Sequence, residues 1–166
     1  MKISKDSLRL GEIPVEKIIG LFSLIPAVVD AVKVPVIAAG GIADGRGMSA
    51  ALLLGASAVQ IGTGFFRSPE AKLPKVWSKK LDNSLPEDTI ATRAFSGRLG
   101  RSLRTKYAVA ANSKHAPSPA PYPIQRHLNQ EMRTNAVKSE SLDGMQAWTG
   151  QSANLALNIS AYEIVL

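Results

Sequence analysis

The chain contains no cysteine, which excludes disulfide bonds, thiolate nucleophiles and cysteine-ligated metals. Only two histidines are present, too few for the usual structural zinc site, so no metal is expected. No apolar run reaches the roughly 18 to 20 residues of a membrane span, and the N-terminus lacks the apolar centre of a signal peptide. These absences favour a cytoplasmic protein with no membrane partner.

The length of 166 residues suits one ordinary core but is short for a complete eight-fold βα barrel, which takes about 250 residues. Net charge is +7, and it is concentrated between residues 92 and 138, where nine Lys and Arg face the single acid Glu131. The three aromatic residues of this segment, Phe95, Tyr107 and Tyr122, do not interleave with these bases in the way a base-stacking surface would require. We therefore expect a solvated basic surface and no nucleic-acid partner.

The first half of the chain alternates helical and strand signals. Apolar residues at helical spacing over residues 21–32 predict a helix, and the apolar run 34–39 predicts a strand buried on both faces. A second helix follows to Gly55, a predicted C′ residue, and residues 58–61 predict a second buried strand. Short loops between these elements indicate neighbouring parallel strands in an α/β sheet.

The second half shows helical signals and no second βαβ series. Ser68, Pro69 and Glu70 predict a helix start, with the helix running to about Leu81. Further helices are predicted over residues 99–112, 124–136 and 145–157, with an extended proline-rich crossing over 116–123. The predicted organisation is therefore a lead-in (1–18), βα units (19–82) and a mainly helical C-terminal region (83–166).

Both predicted strands end in small residues. Gly40 and Gly41 follow the first strand, and Gly62 and Thr63 follow the second one βα unit later. Glycines let a ligand approach the backbone N–H groups, and the helix after Gly41 is expected to point its own N–H groups the same way. Two such ends side by side predict a phosphate cradle.

The same residues resemble the nitronate monooxygenase family, formerly called 2-nitropropane dioxygenases. The resemblance runs from about Ile19 to the C-terminus through VPVIAAGGIADGRG (34–47), GASAVQIGTGF (55–65) and TRAFSGR (92–98). It implies an FMN-dependent TIM-barrel oxidoreductase that oxidises alkyl nitronates or nitroalkanes with O₂. By resemblance, the FMN phosphate is held at the ends of barrel strands 7 and 8 by Gly40, Gly41, Gln60, Ile61, Gly62 and Thr63.

The chain also departs from the family pattern. Members carry a glycine-rich loop with a catalytic base histidine upstream of the matched region, whereas residues 1–18 hold no histidine. His115 and His127 are expected to be surface or packing residues, so no catalytic residue is assigned. The expected fold class is α/β, the last βα units of a partial TIM barrel followed by a mainly helical region, in a truncated chain that is inactive alone.

Two alternatives stay open on the residues. An FMN-dependent enoyl-acyl-carrier-protein reductase has similar strand ends, although the stretch 44–47 favours the nitronate family. The other alternative is a non-catalytic barrel fragment that associates with a partner or with itself, because an incomplete barrel leaves open sheet edges.

Overall fold

The computed structural model describes residues 18–166, so the predicted lead-in lies outside the described residues except for its last residue. Helix α1 (Leu21–Val29), strand β1 (Ile37–Ala39), helix α2 (Gly45–Leu53) and strand β2 (Ala58–Gln60) follow one another in order. The strands pair in parallel, with Ile37 opposite Ala58 and Ala39 opposite Gln60. The predicted helix–strand–helix–strand order is confirmed.

One face of this sheet packs on its helices. Ala38 of β1 is buried in an apolar cluster with Ile25 of α1, Ala51 of α2, and Ile42 and Ala56. Helix α2 ends just before Gly55, whose φ of +99° is the left-handed C′ conformation that the sequence predicts.

The other face of the sheet is open, so the prediction of strands buried on both faces is wrong. Ile37 is 63% exposed, and Ala39, Ala58 and Gln60 on the same face are exposed as well. Alternate residues of a strand point to opposite faces, and the described part of the chain covers only the helix-facing one. No closed barrel is formed by residues 18–166.

The predicted helix from Ser68 to Leu81 is interrupted. A single 3₁₀ turn (Pro69–Ala71) ends at Lys72 in the left-handed conformation, and helix α3 (Lys75–Asp82) begins after Pro74. Ser68 does not cap a helix, because its hydroxyl donates to the Phe65 carbonyl oxygen at 2.8 Å. The left-handed backbone of Lys72 ends the 3₁₀ turn, and Pro74 precedes the start of α3. These two residues explain why the predicted helix is interrupted.

The predicted helix over 99–112 is wrong in its first part. Strand β4 (Gly100–Leu103) pairs antiparallel with β3 (Thr89–Thr92), and helix α4 (Lys106–Ala111) begins only after Thr105. The Thr105 hydroxyl accepts from the Ala108 N–H at 3.2 Å and so fixes the helix start. Pairing with β3, a contact between distant residues, outweighs the local helical pattern.

The predicted helix over 145–157 is also wrong. Residues 145–150 carry no helix, with Trp148 bridged to Ser102 of β4, and only a 3₁₀ turn (Ala153–Leu155) follows. Met145, Ala147 and Thr149 are buried while the residues between them are partly exposed, which is the two-residue period of a strand. The C-terminal region is therefore mixed rather than mainly helical.

The remaining helices pack around a second core. Helices α5 (Ile124–Leu128) and α6 (Gln130–Lys138) follow the predicted proline-rich crossing, and a short α7 (Ala161–Val165) ends the chain. Residues 117–121 of the crossing carry no helix or strand, as predicted. The second core joins α3, β4 and α6, and its buried members are Leu81, Leu103, Ala136, Met145, Ala147 and Ala153.

Candidate phosphate cradle at two strand ends

A cavity of about 370 Å³ opens at the carboxyl ends of β1 and β2. Its lining comes from both strand ends and from one distant segment: Ala39, Gly40, Gly41, Ile42, Ala43, Gln60, Gly62, Thr63, Gly150 and Ser152. These described lining residues carry no titratable side chain. They offer hydrogen-bonding groups and no side chain of the acid–base kind.

The end of β1 is built from two glycines in the left-handed region. Gly40 has φ +99° and Gly41 has φ +70°, conformations that cost other residues energy. A Cβ at either position would meet nothing within 4 Å, so the space beside this backbone is open. The glycines are therefore required by backbone conformation, and they leave room for a ligand.

The end of β2 continues the cradle. Gly62 precedes a 3₁₀ turn (Thr63–Phe65), and both Gly62 and Thr63 line the cavity. Within residues 18–166, the N–H groups of Gly40, Gly41, Gly62 and Thr63 have no hydrogen-bond acceptor. Unpaired backbone donors grouped at one cavity fit an anion, because phosphate oxygens accept several N–H bonds at once.

The N-terminus of α2 does not contribute as expected. The Asp44 carboxylate accepts from the N–H groups of Arg46 at 3.0 Å and Gly47 at 3.2 Å, so these two first-turn donors are already used. The Arg46 guanidinium donates to the same carboxylate at 2.6 and 2.9 Å. This guanidinium, with the Gly47 N–H, lowers the pKa of Asp44 below its usual range. Asp44 thus caps the helix. The prediction that the N-terminus of α2 points its N–H groups at a ligand is wrong for Arg46 and Gly47, because both donate to Asp44.

The third side of the cavity comes from the C-terminal region. The Gly150 N–H donates to the Thr63 hydroxyl oxygen at 3.0 Å, and the Ser152 hydroxyl donates to the Gly41 carbonyl oxygen at 2.6 Å. These bonds tie residues 150–152 to both strand ends. Sequence reasoning missed Gly150 and Ser152, and no local pattern could have placed them, because their partners Thr63 and Gly41 lie 87 and 111 residues away.

The six predicted cofactor-binding residues fall into two groups, those that line the cavity and one whose side chain packs in the core. Gly40, Gly41, Gln60, Gly62 and Thr63 all line the cavity. The Ile61 side chain packs against the first apolar cluster instead, which leaves only its backbone toward the strand end.

Neither histidine lies at the cavity. His115 and His127 are exposed and stand outside its lining. No cluster of His, Asp or Glu that could hold a metal occurs among the described residues. In the same part of the chain, no helix is both long and apolar enough to cross a bilayer.

The fold and the cavity define an α/β chain with a donor-lined cradle at the carboxyl ends of parallel strands. Comparison with known proteins narrows this class. The nitronate monooxygenase family model matches residues 9–166, a stretch that begins upstream of Ile19. The chain belongs to the nitronate monooxygenase family, a family of oxidoreductases.

Individual relatives agree with the family model. A probable nitronate monooxygenase of Staphylococcus aureus strain MSSA476 is 39% identical over 147 residues, which cover 89% of this chain and 41% of the relative. The protein of strain Newman is 38% identical over the same shares. The chain thus spans about two fifths of the length of the curated relatives it matches.

Solved structures resemble the chain as well. The nitroalkane oxidase of Streptomyces ansochromogenes matches with TM-score 0.82 and 38% identity over 89% of this chain and 42% of that one. FabK of Thermotoga maritima matches with TM-score 0.72 and 36% identity over 93% and 48%.

Proposed function

We propose that this chain carries the phosphate-binding part of an FMN site in an enzyme that oxidises alkyl nitronates with O₂. The observation that carries the proposal is the set of N–H donors of Gly40, Gly41, Gly62 and Thr63 around one cavity, which find no acceptor among residues 18–166. The described lining residues include no carboxylate that would repel a phosphate. Membership in the nitronate monooxygenase family supports FMN as the group that supplies this phosphate.

The cradle's own residues bind and orient. We expect the four N–H groups to donate to phosphate oxygens, and the Thr63 hydroxyl, which already accepts from Gly150, keeps its proton for a ligand oxygen. When bound, FMN supplies the redox chemistry, accepting electrons from the substrate and passing them to O₂. The protein contributes position and hydrogen bonds.

The proposed substrate class follows from the groups that the cavity lining can supply. An alkyl nitronate has already lost its α-proton, whereas a neutral nitroalkane needs a base to remove it. The cavity lining within residues 18–166 supplies no such base. We therefore propose nitronates as the substrate class toward which this part of the site is directed.

Two measurements test the proposal. We expect the purified protein to be yellow and to release FMN when it is denatured, and to support nitronate-dependent oxygen uptake when loaded. Colourless protein that takes up no added FMN would refute the cofactor site. FMN-loaded protein that consumes no oxygen with a nitronate would refute the substrate assignment while leaving the cofactor site standing.

A second chemistry deserves a parallel assay because FabK of Thermotoga maritima resembles the chain at 36% identity. The alternative is reduction of an enoyl thioester of an acyl carrier protein on the same FMN cradle. Oxidation of NADH that depends on an enoyl thioester, without nitronate-dependent oxygen uptake, would favour this alternative.

A further inference from the structure

The C-terminal segment 150–152 meets the cradle from the side opposite the strands, and its contacts are specific. Gly150 donates to Thr63, and Ser152 donates to Gly41, as described above. Both bonds go to residues whose N–H groups are unpaired within residues 18–166. The segment therefore contacts the parts of the backbone that would hold an anion.

Gly150 has an additional property. A Cβ built on it would lie 3.5 Å from the Thr63 hydroxyl oxygen and 3.8 Å from the Gly41 nitrogen. Both distances are ordinary van der Waals contacts, and the backbone of Gly150 is not left-handed, so the protein itself tolerates a methyl group there. That methyl group would instead stand beside the Gly41 N–H, in space that an anion accepting a hydrogen bond from this N–H has to use.

Ser152 contacts the carbonyl group of Gly41, the residue whose N–H lies near Gly150. Its hydroxyl donates at 2.6 Å to the Gly41 carbonyl oxygen, in a residue held at φ +70°. A hydrogen bond to this carbonyl restrains the rotation of the glycine peptide, and a glycine has the widest choice of alternative conformations. The bond thus helps to fix the direction of the backbone around the cradle.

We propose that residues 150–152 form the third wall of the phosphate cradle. Gly150 keeps open the space in which a phosphate oxygen reaches the Gly41 N–H, and Ser152 is a positioning residue that acts through Gly41. This inference rests on the proposed function, because it names the residues that shape the same site. It adds a specificity determinant from a part of the chain more than 80 residues away from the strand ends.

The test compares FMN with riboflavin, which has the same flavin ring system and lacks the phosphate. Each ligand is titrated into the full chain, and the ratio of the two dissociation constants is measured. For Gly150→Ala we expect the preference for FMN to fall roughly ten- to hundredfold, the effect of losing one hydrogen bond to a charged group. Riboflavin affinity and the melting temperature should be unchanged.

Matched variants separate local from general effects. Gly20→Ala adds the same methyl group at an exposed position with nothing within 4 Å, and it should leave the preference unaltered. Ser152→Ala should lower the preference about fivefold, and Ser152→Thr, which keeps the hydroxyl, should restore most of it. The serine pair keeps the proposal testable even if Gly150→Ala fails to fold.

The outcomes are distinguishable. Native protein that does not prefer FMN to riboflavin would refute the proposed function, and the third-wall assignment would fall with it. If the native protein prefers FMN and both Gly150→Ala and Ser152→Ala keep this preference, only the third-wall assignment is overturned. Equal loss in Ser152→Ala and Ser152→Thr would overturn the positioning role of the Ser152 hydroxyl.

Discussion

The Gly150 N–H donates a 3.0 Å hydrogen bond to the Thr63 hydroxyl oxygen across a separation of 87 residues. The neighbouring Thr149 hydroxyl accepts from the Trp77 indole N–H at 3.4 Å. This is a second contact between the C-terminal region and the residues that follow β2, because Trp77 lies in α3. The end of β2 and the C-terminal region are therefore one site rather than adjacent parts. Removing the Thr63 hydroxyl should therefore affect both binding and stability.

Thr63→Val tests this relationship. Valine has nearly the shape of threonine but no hydroxyl, so the Gly150 N–H loses its acceptor and the ligand loses a donor. We expect the free energy of unfolding in urea to fall by about 1–3 kcal/mol and FMN binding to weaken. Thr63→Ser keeps the hydroxyl and should retain FMN affinity. If the valine and serine variants bind FMN equally, the hydroxyl has no role in the cradle.

Gly41→Ala tests the left-handed backbone. Space for a Cβ is open at Gly41, so the cost comes from the φ of +70° alone and should be about 1–2 kcal/mol in urea unfolding. Gly62→Ala is the matched comparison, because its Cβ also meets nothing and its φ of −104° suits any residue. A loss at Gly62 as large as at Gly41 would contradict the conformational explanation.

Acidification should weaken the cap of α2. The folded-state pKa of Asp44 is lowered, chiefly by its hydrogen bond from Arg46, so the carboxylate contributes stability above its unfolded pKa of about 3.9. This contribution is lost as the pH falls through the lower folded pKa. Melting temperatures of the native chain and Asp44→Asn should differ at pH 7 and converge toward pH 3. A difference independent of pH would contradict the assignment.

Asn129 should be the most sensitive polar residue of the C-terminal core. It is buried, its amide donates to the carbonyl oxygens of Ala94 at 2.9 Å and Phe95 at 3.0 Å, and its Oδ1 accepts from Arg133 at 2.8 Å. Asn129→Ala leaves the Phe95 carbonyl oxygen and the Arg133 Nε–H without this partner, while the Ala94 carbonyl oxygen keeps its bonds from Gln125 and Tyr107. The variant should cost about 2–4 kcal/mol in urea unfolding. The exposed Asn135→Ala should change stability by less than about 0.5 kcal/mol. Similar losses in both variants would refute the network.

The sequence predicted the parts of the molecule that local patterns determine. The order α1, β1, α2, β2 and the glycine ends of both strands follow from periodicity and from the special conformation of Gly40 and Gly41. Five of the six predicted cofactor residues line the cavity, and only the Ile61 side chain turns to the core. These features need only a few consecutive residues to be recognised.

The features that escaped prediction depend on distant pairing. Strand β4 exists because Thr92 and its neighbours in β3 lie opposite it, and the extended segment around Trp148 bridges to Ser102 of the same strand. Local sequence alone favoured a helix in both stretches, and it carries no signal of these distant partners. The third wall at Gly150 and Ser152 was missed for the same reason: its partners, Thr63 and Gly41, are far away in sequence.

The most direct test of the phosphate cradle is to follow backbone amide resonances of ¹⁵N-labelled full chain during titration with FMN, with riboflavin as the control. We predict that FMN shifts the amide signals of Gly40, Gly41, Gly62 and Thr63, and that riboflavin, which lacks the phosphate, leaves them in place. FMN-induced shifts confined to the basic segment 92–138, or shifts that riboflavin reproduces, would contradict the cradle.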